Sequence, residues 1–234
     1  MEPPHDAPPH LRRVRSFVRR PGRATAAQRR ALTELWPRFG LEAAGALDLA
    51  ALFGRNARRV LDIGFGDGEA LATSAINYPD LDYLGVEIHE PGIGHLLLLI
   101  EQAALTNVRV IARDAADVVP ECLAEASFDA VNLFFPDPWP KKRHHKRRLV
   151  QPPFMVELAR ILKNGGLFHL ATDWDDYARH AREVLAASEE FAPVEPSAVA
   201  RDPLAFRSPT KFERRGRRLG HDVVDLFYRR APRG

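Results

Sequence analysis

The chain has 234 residues, 45% hydrophobic and 28% charged, so it holds enough apolar material for a sizeable core under a solvated surface. A formal net charge of +3 accompanies a sequence pI near 9.2, and the cations bunch at residues 12–23, 141–148 and 211–218, where carboxylates are sparse, which points to a polyanionic partner. A single cysteine, Cys122, excludes an internal disulfide and a cysteine-rich zinc site and reads as a structural thiol; with no membrane-length apolar run and no apolar signal core, a cytoplasmic protein is expected.

Residues 1–24 are rich in proline and arginine and read as a flexible basic tail. Residues 25–234 read as one domain. Its first part, 26–54, is helical in pattern and ends near Gly54. From residue 59 short β-rich runs take over, at 59–63, 83–88, 108–112, 130–135 and 167–172. Helical stretches separate them, at 69–77, 92–106, around 117–125 and at 154–163; a further helix is expected at 176–187 and a last strand at 223–228. Alternation of this kind predicts an α/β, Rossmann-like fold with a mostly parallel central sheet and helices on both faces. Residues 192–220 read as a long basic loop, and a loop of that length is usually functional or disordered.

Ligands of open α/β sheets bind beyond the carboxyl ends of the strands. The first strand runs into Asp62-Ile63-Gly64-Phe65-Gly66-Asp67-Gly68. Glycines there let the backbone turn sharply and approach a ligand, but a glycine-rich turn alone is shared by several nucleotide sites. Asp62 separates them. It would repel a pyrophosphate and attract the ammonium and sulfonium of S-adenosylmethionine. Glu87, at the second strand end, suits both ribose hydroxyls, and Asp114, at the third, suits an adenine amino group. Each acid alone could be an exposed strand end or a helix N-cap. Three in succession point to an adenosyl cofactor.

The fourth strand leads into Phe134-Phe135-Pro136-Asp137-Pro138-Trp139-Pro140. Flanking prolines stiffen the backbone around Asp137, and Trp139 offers a face on which a base could stack, or else packs in the core. Lys141, Lys142, Arg143, His144, His145, Lys146, Arg147 and Arg148 follow as an unbroken basic run suited to phosphates. No third ligand joins His144 and His145, so no metal is expected. The fifth strand ends at Asp173 and Trp174. Further on, Thr210, Lys211, Phe212 and Glu213 combine a donor, a cation, an aromatic and an acid, and Glu213 suits the N1–H and amino donors of guanine.

Taken together, Arg15-Ser16-Phe17-Val18-Arg19-Arg20, the Gly64–Gly68 turn, Val86-Glu87-Ile88-His89, the run from Phe134 to Arg148, Ala171-Thr172-Asp173-Trp174 and Thr210–Gly216 resemble the motifs of the bacterial tRNA (guanine-N7-)-methyltransferase family. The resemblance spans nearly the whole chain beyond the first dozen residues. It implies a class I methyltransferase that uses S-adenosylmethionine to methylate the variable-loop guanine of tRNA, position 46 in tRNA numbering. By motif, Asp62, Glu87 and Asp114 take the cofactor positions and Asp137 the active-site acid, bordering the cofactor as well. Lys141, Asp173 and Thr210 to Glu213 match substrate positions, and Arg143 to Arg148 match the RNA-contacting stretch. Asp62 departs from the family, which often has glutamate there. The implied chemistry is coherent, because guanine N7 carries an in-plane lone pair and is hard to reach in an A-form duplex, which favours a loop guanine. Two other readings share parts of the pattern: a non-catalytic RNA-binding protein on a methyltransferase fold, and a nucleotide-binding oxidoreductase, which Asp62 disfavours.

Overall fold

The structure is a computed structural model and describes residues 23–209, 213 and 222–232. The basic tail expected at 1–24 lies almost wholly outside them, as do Thr210, Lys211 and Phe212. Seven strands form one sheet: β1 (Arg58–Ile63), β2 (Leu81–Val86), β3 (Val108–Ile111), β4 (Phe128–Phe134), β5 (Leu162–Thr172), β6 (Phe191–Val194) and β7 (Val224–Arg230). Their order is β3-β2-β1-β4-β5-β7-β6. The first five pair in parallel, and β7 runs antiparallel to both β5 and β6. Strands covered on both faces read as continuous apolar runs, and side chains alternate between two cores. Leu61, Leu84, Val131 and Phe168 face α3 (Leu49–Phe53), α6 (Ala115–Cys122), α7 (Pro152–Ile161) and α8 (Asp175–Ala186). Val60, Tyr83, Ala130 and Leu167 face α1 (Ala26–Glu34), α2 (Trp36–Phe39), α4 (Glu69–Asn77), α5 (Glu90–Gln102) and α9 (Pro196–Val199). Cys122 is buried in the first of these cores, as a structural thiol should be.

Three stretches differ from the sequence expectation, each for a local reason. The helical pattern over 26–54 breaks into α1, α2 and α3. Thr25 opens α1 with a capping box, Pro37 sits in the first turn of α2, and Gly54, at φ 68°, closes α3. Strand β5 begins five residues before the expected start. Its first part carries Gly165 at φ 71°, and its register against β4 shifts between Phe128 and Ala130, an irregularity that interrupts the period-two pattern. The long loop expected from 192 instead begins with β6 and α9, followed by a 3-10 turn at Pro203–Ala205. Pro193 hides β6 from a propensity reading, and proline is tolerated there because β6 is the sheet's edge. Among the described residues no helix is long and apolar enough to cross a membrane.

Candidate active site

The strand order reverses between β1 and β4, which opens a crevice at their carboxyl ends. Gly64, Gly66 and Gly68 line its floor at φ 71°, 64° and 78°, a region that side chains rarely adopt. Helix α5 pins this loop from behind. A Cβ on Gly92 would lie 1.9 Å from the Gly66 carbonyl oxygen, and His95 Nδ1 sits 2.7 Å from the Asp67 carbonyl. Glu87 ties the loop to the end of β2. Its carboxylate accepts from the backbone N–H of Gly66 at 2.9 Å, Ile88 at 2.7 Å and His89 at 3.0 Å. Asp114 accepts from the Ala116 N–H at 3.0 Å and caps α6, so it serves as an N-cap at the third strand end.

Asp62 is buried at 4% exposure in the middle of this edge. Burial first, and the charge of Glu87 second, push its pKa up to about 7. No described cation offsets either effect. A buried acid beside a second acid is costly to ionise unless a cation arrives from outside. That donor set fits the cationic end of S-adenosylmethionine and is a poor match for a pyrophosphate. In register with Asp62 lie Asn132 on β4 and, beyond it, His169 on β5; among the described residues, Asn132 Oδ1 and His169 Nδ1 are buried without hydrogen-bond partners.

Beyond β4 the chain makes a tight, strained turn. Phe135 and Trp139 both hold left-handed backbone, at φ 50° and 44°, on either side of Pro136-Asp137-Pro138. Bulky residues at positive φ are rare and collect at active sites. The Phe135 N–H donates to the Ala171 carbonyl at 2.7 Å, which sets the turn beside Asp173 at the end of β5. Two expectations are corrected here. Trp139 is 7% exposed, with the Arg147 guanidinium 4.8 Å over its ring and His144 edge-on, so it packs the turn and presents no open face to a base. Trp174, at 37%, is the exposed aromatic on this edge. Arg148 is 2% exposed: it donates to the Pro138 carbonyl at 3.0 Å and to His145 Nε2 at 3.1 Å, pairs with Asp176, and so anchors the turn from inside. Lys141, Lys142, Arg143 and Lys146, on and beside the 3-10 segment Lys142–Arg147, are exposed. Partial burial and the surrounding cations lower the His144 pKa.

Asp176, Arg207 and Asp225 are polar residues of this region that sequence reasoning missed. Asp176 sits in the first turn of α8 and was hidden in a helix pattern. Arg207 was lost in the supposed basic loop and Asp225 in the last strand. Arg207 binds Asp225 through Nε at 2.9 Å and Nη2 at 3.0 Å, and pairs with Glu213 through Nη1. Glu213 is therefore buried, at 1% exposure, against a cation of the same chain.

A parallel sheet whose glycine loop and strand-end acids meet at the switch point, with a strained Pro-Asp-Pro turn alongside, defines a Rossmann-like class I methyltransferase dependent on S-adenosylmethionine. The solved 16S rRNA methyltransferase KamB shares this fold, with a TM-score of 0.56 and 16% identity over 83% of this chain and 98% of its own. A family model described as "Putative methyltransferase" matches residues 56–226. The tRNA (guanine-N(7)-)-methyltransferase of Alkalilimnicola ehrlichii is 54% identical over 98% of both chains, and that of Methylococcus capsulatus is 52% identical over 94% of this chain and 95% of its own. The chain belongs to the tRNA (guanine-N(7)-)-methyltransferase family.

Proposed function

We propose that this enzyme transfers a methyl group from S-adenosylmethionine to N7 of the variable-loop guanine of tRNA, with residues 25–234 working as one domain in the cytoplasm. One observation carries the reading: the buried acid Asp62 and its half-buried neighbour Glu87 share a sheet edge with the strained Asp137 turn and the exposed cations that follow it. The cofactor, when bound, supplies an electrophilic methyl on a sulfonium. Asp62 faces its cationic end, Glu87 its ribose and Asp114 its adenine amino group. Guanine N7 needs no deprotonation, so no general base is required and the work is alignment and charge compensation. Asp137, fixed between two prolines, orients the guanine and offsets the positive charge that develops on its ring. Asp173 reads the guanine edge, and Lys141, Arg143 and Lys146 hold phosphates.

The test is mass spectrometry of tRNA nucleosides after incubation with S-adenosylmethionine. One added methyl on a single variable-loop guanine, with the lability of a 7-methylguanosine, is the expected result. Binding of tRNA without transfer would replace this reading by that of a non-catalytic RNA-binding protein.

A further inference from the structure

In sequence Arg148 closes the basic run, yet the fold takes it out of solvent. Its side chain is 1% exposed. Nε donates to the carbonyl of Pro138, the residue after Asp137, at 3.0 Å, and Nη2 pairs with Asp176. The same Nη2 lies 3.1 Å from His145 Nε2, and since a guanidinium only donates, that ring nitrogen is the acceptor. The cationic carbon sits 5.4 Å over the ring of Tyr177, which is fully buried. Asp176 lies in the first turn of α8, just beyond Asp173 and the exposed Trp174. One guanidinium therefore bridges the turn that follows β4 and the turn that follows β5.

These contacts depend on one another. The Arg148 cation holds the Asp176 carboxyl below the usual carboxylate range, and Arg179 adds to this from the same helix. A planar fork reaches a carbonyl and a carboxylate at once, which the point charge of a lysine and the single amide of a glutamine match poorly. The turn it grips is strained at left-handed Phe135 and Trp139, and such backbone persists only where its surroundings over-determine it. Burial above all, with the charge of Asp137 in addition, raises the Tyr177 pKa, whereas Arg148 lowers it, so both charges are felt at one ring. A phosphate could reach a guanidinium this buried only by displacing it from Pro138 and Asp176.

We propose that Arg148 and Asp176 form an internal clamp between the two turns of the reaction edge, and that Arg148 is a positioning residue for methyl transfer instead of a phosphate contact. The inference rests on the guanine-N7 reading above and deepens it. It withdraws one cation of the basic run from the RNA surface and assigns it to the placement of Asp137 relative to Asp173. Arg148 acts through the Pro138 carbonyl.

The experiment reads rate and RNA binding separately. Wild type, Arg148→Gln, Arg148→Lys, Asp176→Asn and the Arg148→Gln/Asp176→Asn double variant are assayed for single-turnover methyl transfer at saturating S-adenosylmethionine and tRNA. The salt dependence of tRNA binding and the calorimetric affinity for the cofactor are measured alongside. In Arg148→Gln the rate is expected to fall by about tenfold to 100-fold, as displacement of a positioned group does, while cofactor affinity stays within about twofold. The log–log salt slope stays within about 0.2 of wild type, where the loss of a phosphate contact would reduce it by about 0.7. Asp176→Asn slows transfer in the same way, and the double variant is no slower than the slower single variant, because the two residues act as a unit. Arg148→Lys, which keeps the charge and loses the fork, gives an intermediate rate. A slope reduced by one phosphate's share in Arg148→Gln overturns the proposal whatever the rate. So does a joint loss of rate, tRNA binding and cofactor affinity, which is what a general loosening of the fold would give. If Arg148→Gln does not fold, wild-type rates in Arg148→Lys and Asp176→Asn overturn it. An Arg148→Gln enzyme that transfers at the wild-type rate overturns this inference alone, and a wild type that transfers no methyl to N7 overturns the functional reading beneath it.

Discussion

If Asp62 holds the cationic end of the cofactor as proposed, its carboxylate should make cofactor binding depend on pH. Its pKa of about 7 has two causes, burial and then the neighbouring Glu87, and a cation seated beside the pair offsets both. Only the ionised acid attracts the cationic cofactor, so the free enzyme must lose a proton to bind. The dissociation constant then scales as one plus the ratio of protonated to ionised Asp62. With a pKa near 7, that factor rises roughly tenfold between pH 8 and pH 6, with a half-way point close to neutrality. Affinity therefore increases with pH across this window and levels off above it. Calorimetric titration of S-adenosylmethionine at half-unit steps from pH 6 to 8 measures the curve. Asp62→Asn, which keeps the shape and cannot titrate, should bind weakly and lose this pH dependence. Glu87→Gln removes the second cause and should move the midpoint to lower pH, while also weakening binding, because its amide sets a donor against the Gly66 N–H. A wild-type affinity constant within twofold from pH 6 to 8, or an Asp62→Asn enzyme with the wild-type slope, would refute the assignment. The same group has a signature in stability. Its folded pKa lies above the unfolded value of 3.8, so the folded state binds the extra proton, and this contribution to the stability of the cofactor-free protein falls as pH rises from about 4 to about 7.

Three further outcomes are expected. Asp137→Asn should slow single-turnover methyl transfer at saturating cofactor by about 30-fold to 1,000-fold, the loss of one electrostatic stabiliser of ~2–4 kcal/mol, with tRNA binding little changed; a rate within threefold of wild type would leave the charge without a catalytic role. Gly92→Ala, behind the glycine loop, forces a methyl group against the Gly66 carbonyl and should weaken S-adenosylmethionine binding by about tenfold or more, read by calorimetry; an unchanged affinity would show that the loop's position does not set cofactor binding. Arg143→Ala with Lys146→Ala should weaken tRNA binding and reduce the log–log salt slope by about 0.7 for each phosphate no longer neutralised, while cofactor affinity stays put; an unchanged slope would remove this segment from the RNA interface.

The parallel strands were legible because strands buried on both faces are largely apolar, and β1, β2 and β5 run directly into Gly64, Glu87 and Asp173. Helix α4 was legible to the residue, since Gly68 on one side and the Asn77-Tyr78-Pro79 break on the other delimit it. Strand β6 was not, because an edge strand tolerates Pro193 and carries only four residues. The three strand-end acids could be placed from spacing. Their partners could not: the hold of Glu87 on the Gly66 amide joins backbone and side chain across 21 residues. Arg207 and Asp225 were illegible for a stronger reason. A buried arginine looks in sequence like any surface arginine, and only the fold brings it to an acid on β7 and another at Glu213.

The basic run after Asp137 shows the same ambiguity with a consequence for binding. Six of its eight residues are cations in sequence, and a count of charges would assign each a phosphate. In the fold they divide by burial. Arg148 is spent inside the protein on Pro138, His145 and Asp176, and Arg147 lies over the Trp139 ring. These two support a turn whose left-handed Phe135 and Trp139 cost on the order of 1–3 kcal/mol each and persist only where the surroundings over-determine them. Lys141, Lys142, Arg143 and Lys146 remain exposed. The salt slope owed to this segment is then about −2.8 for single-stranded RNA, against about −4.2 if every cation reached a phosphate. On the proposed function, the buried arginines should set where the Asp137 carboxylate stands and the exposed cations how tightly RNA is held, so removing Arg148 should act on rate and removing Lys142 on the salt dependence.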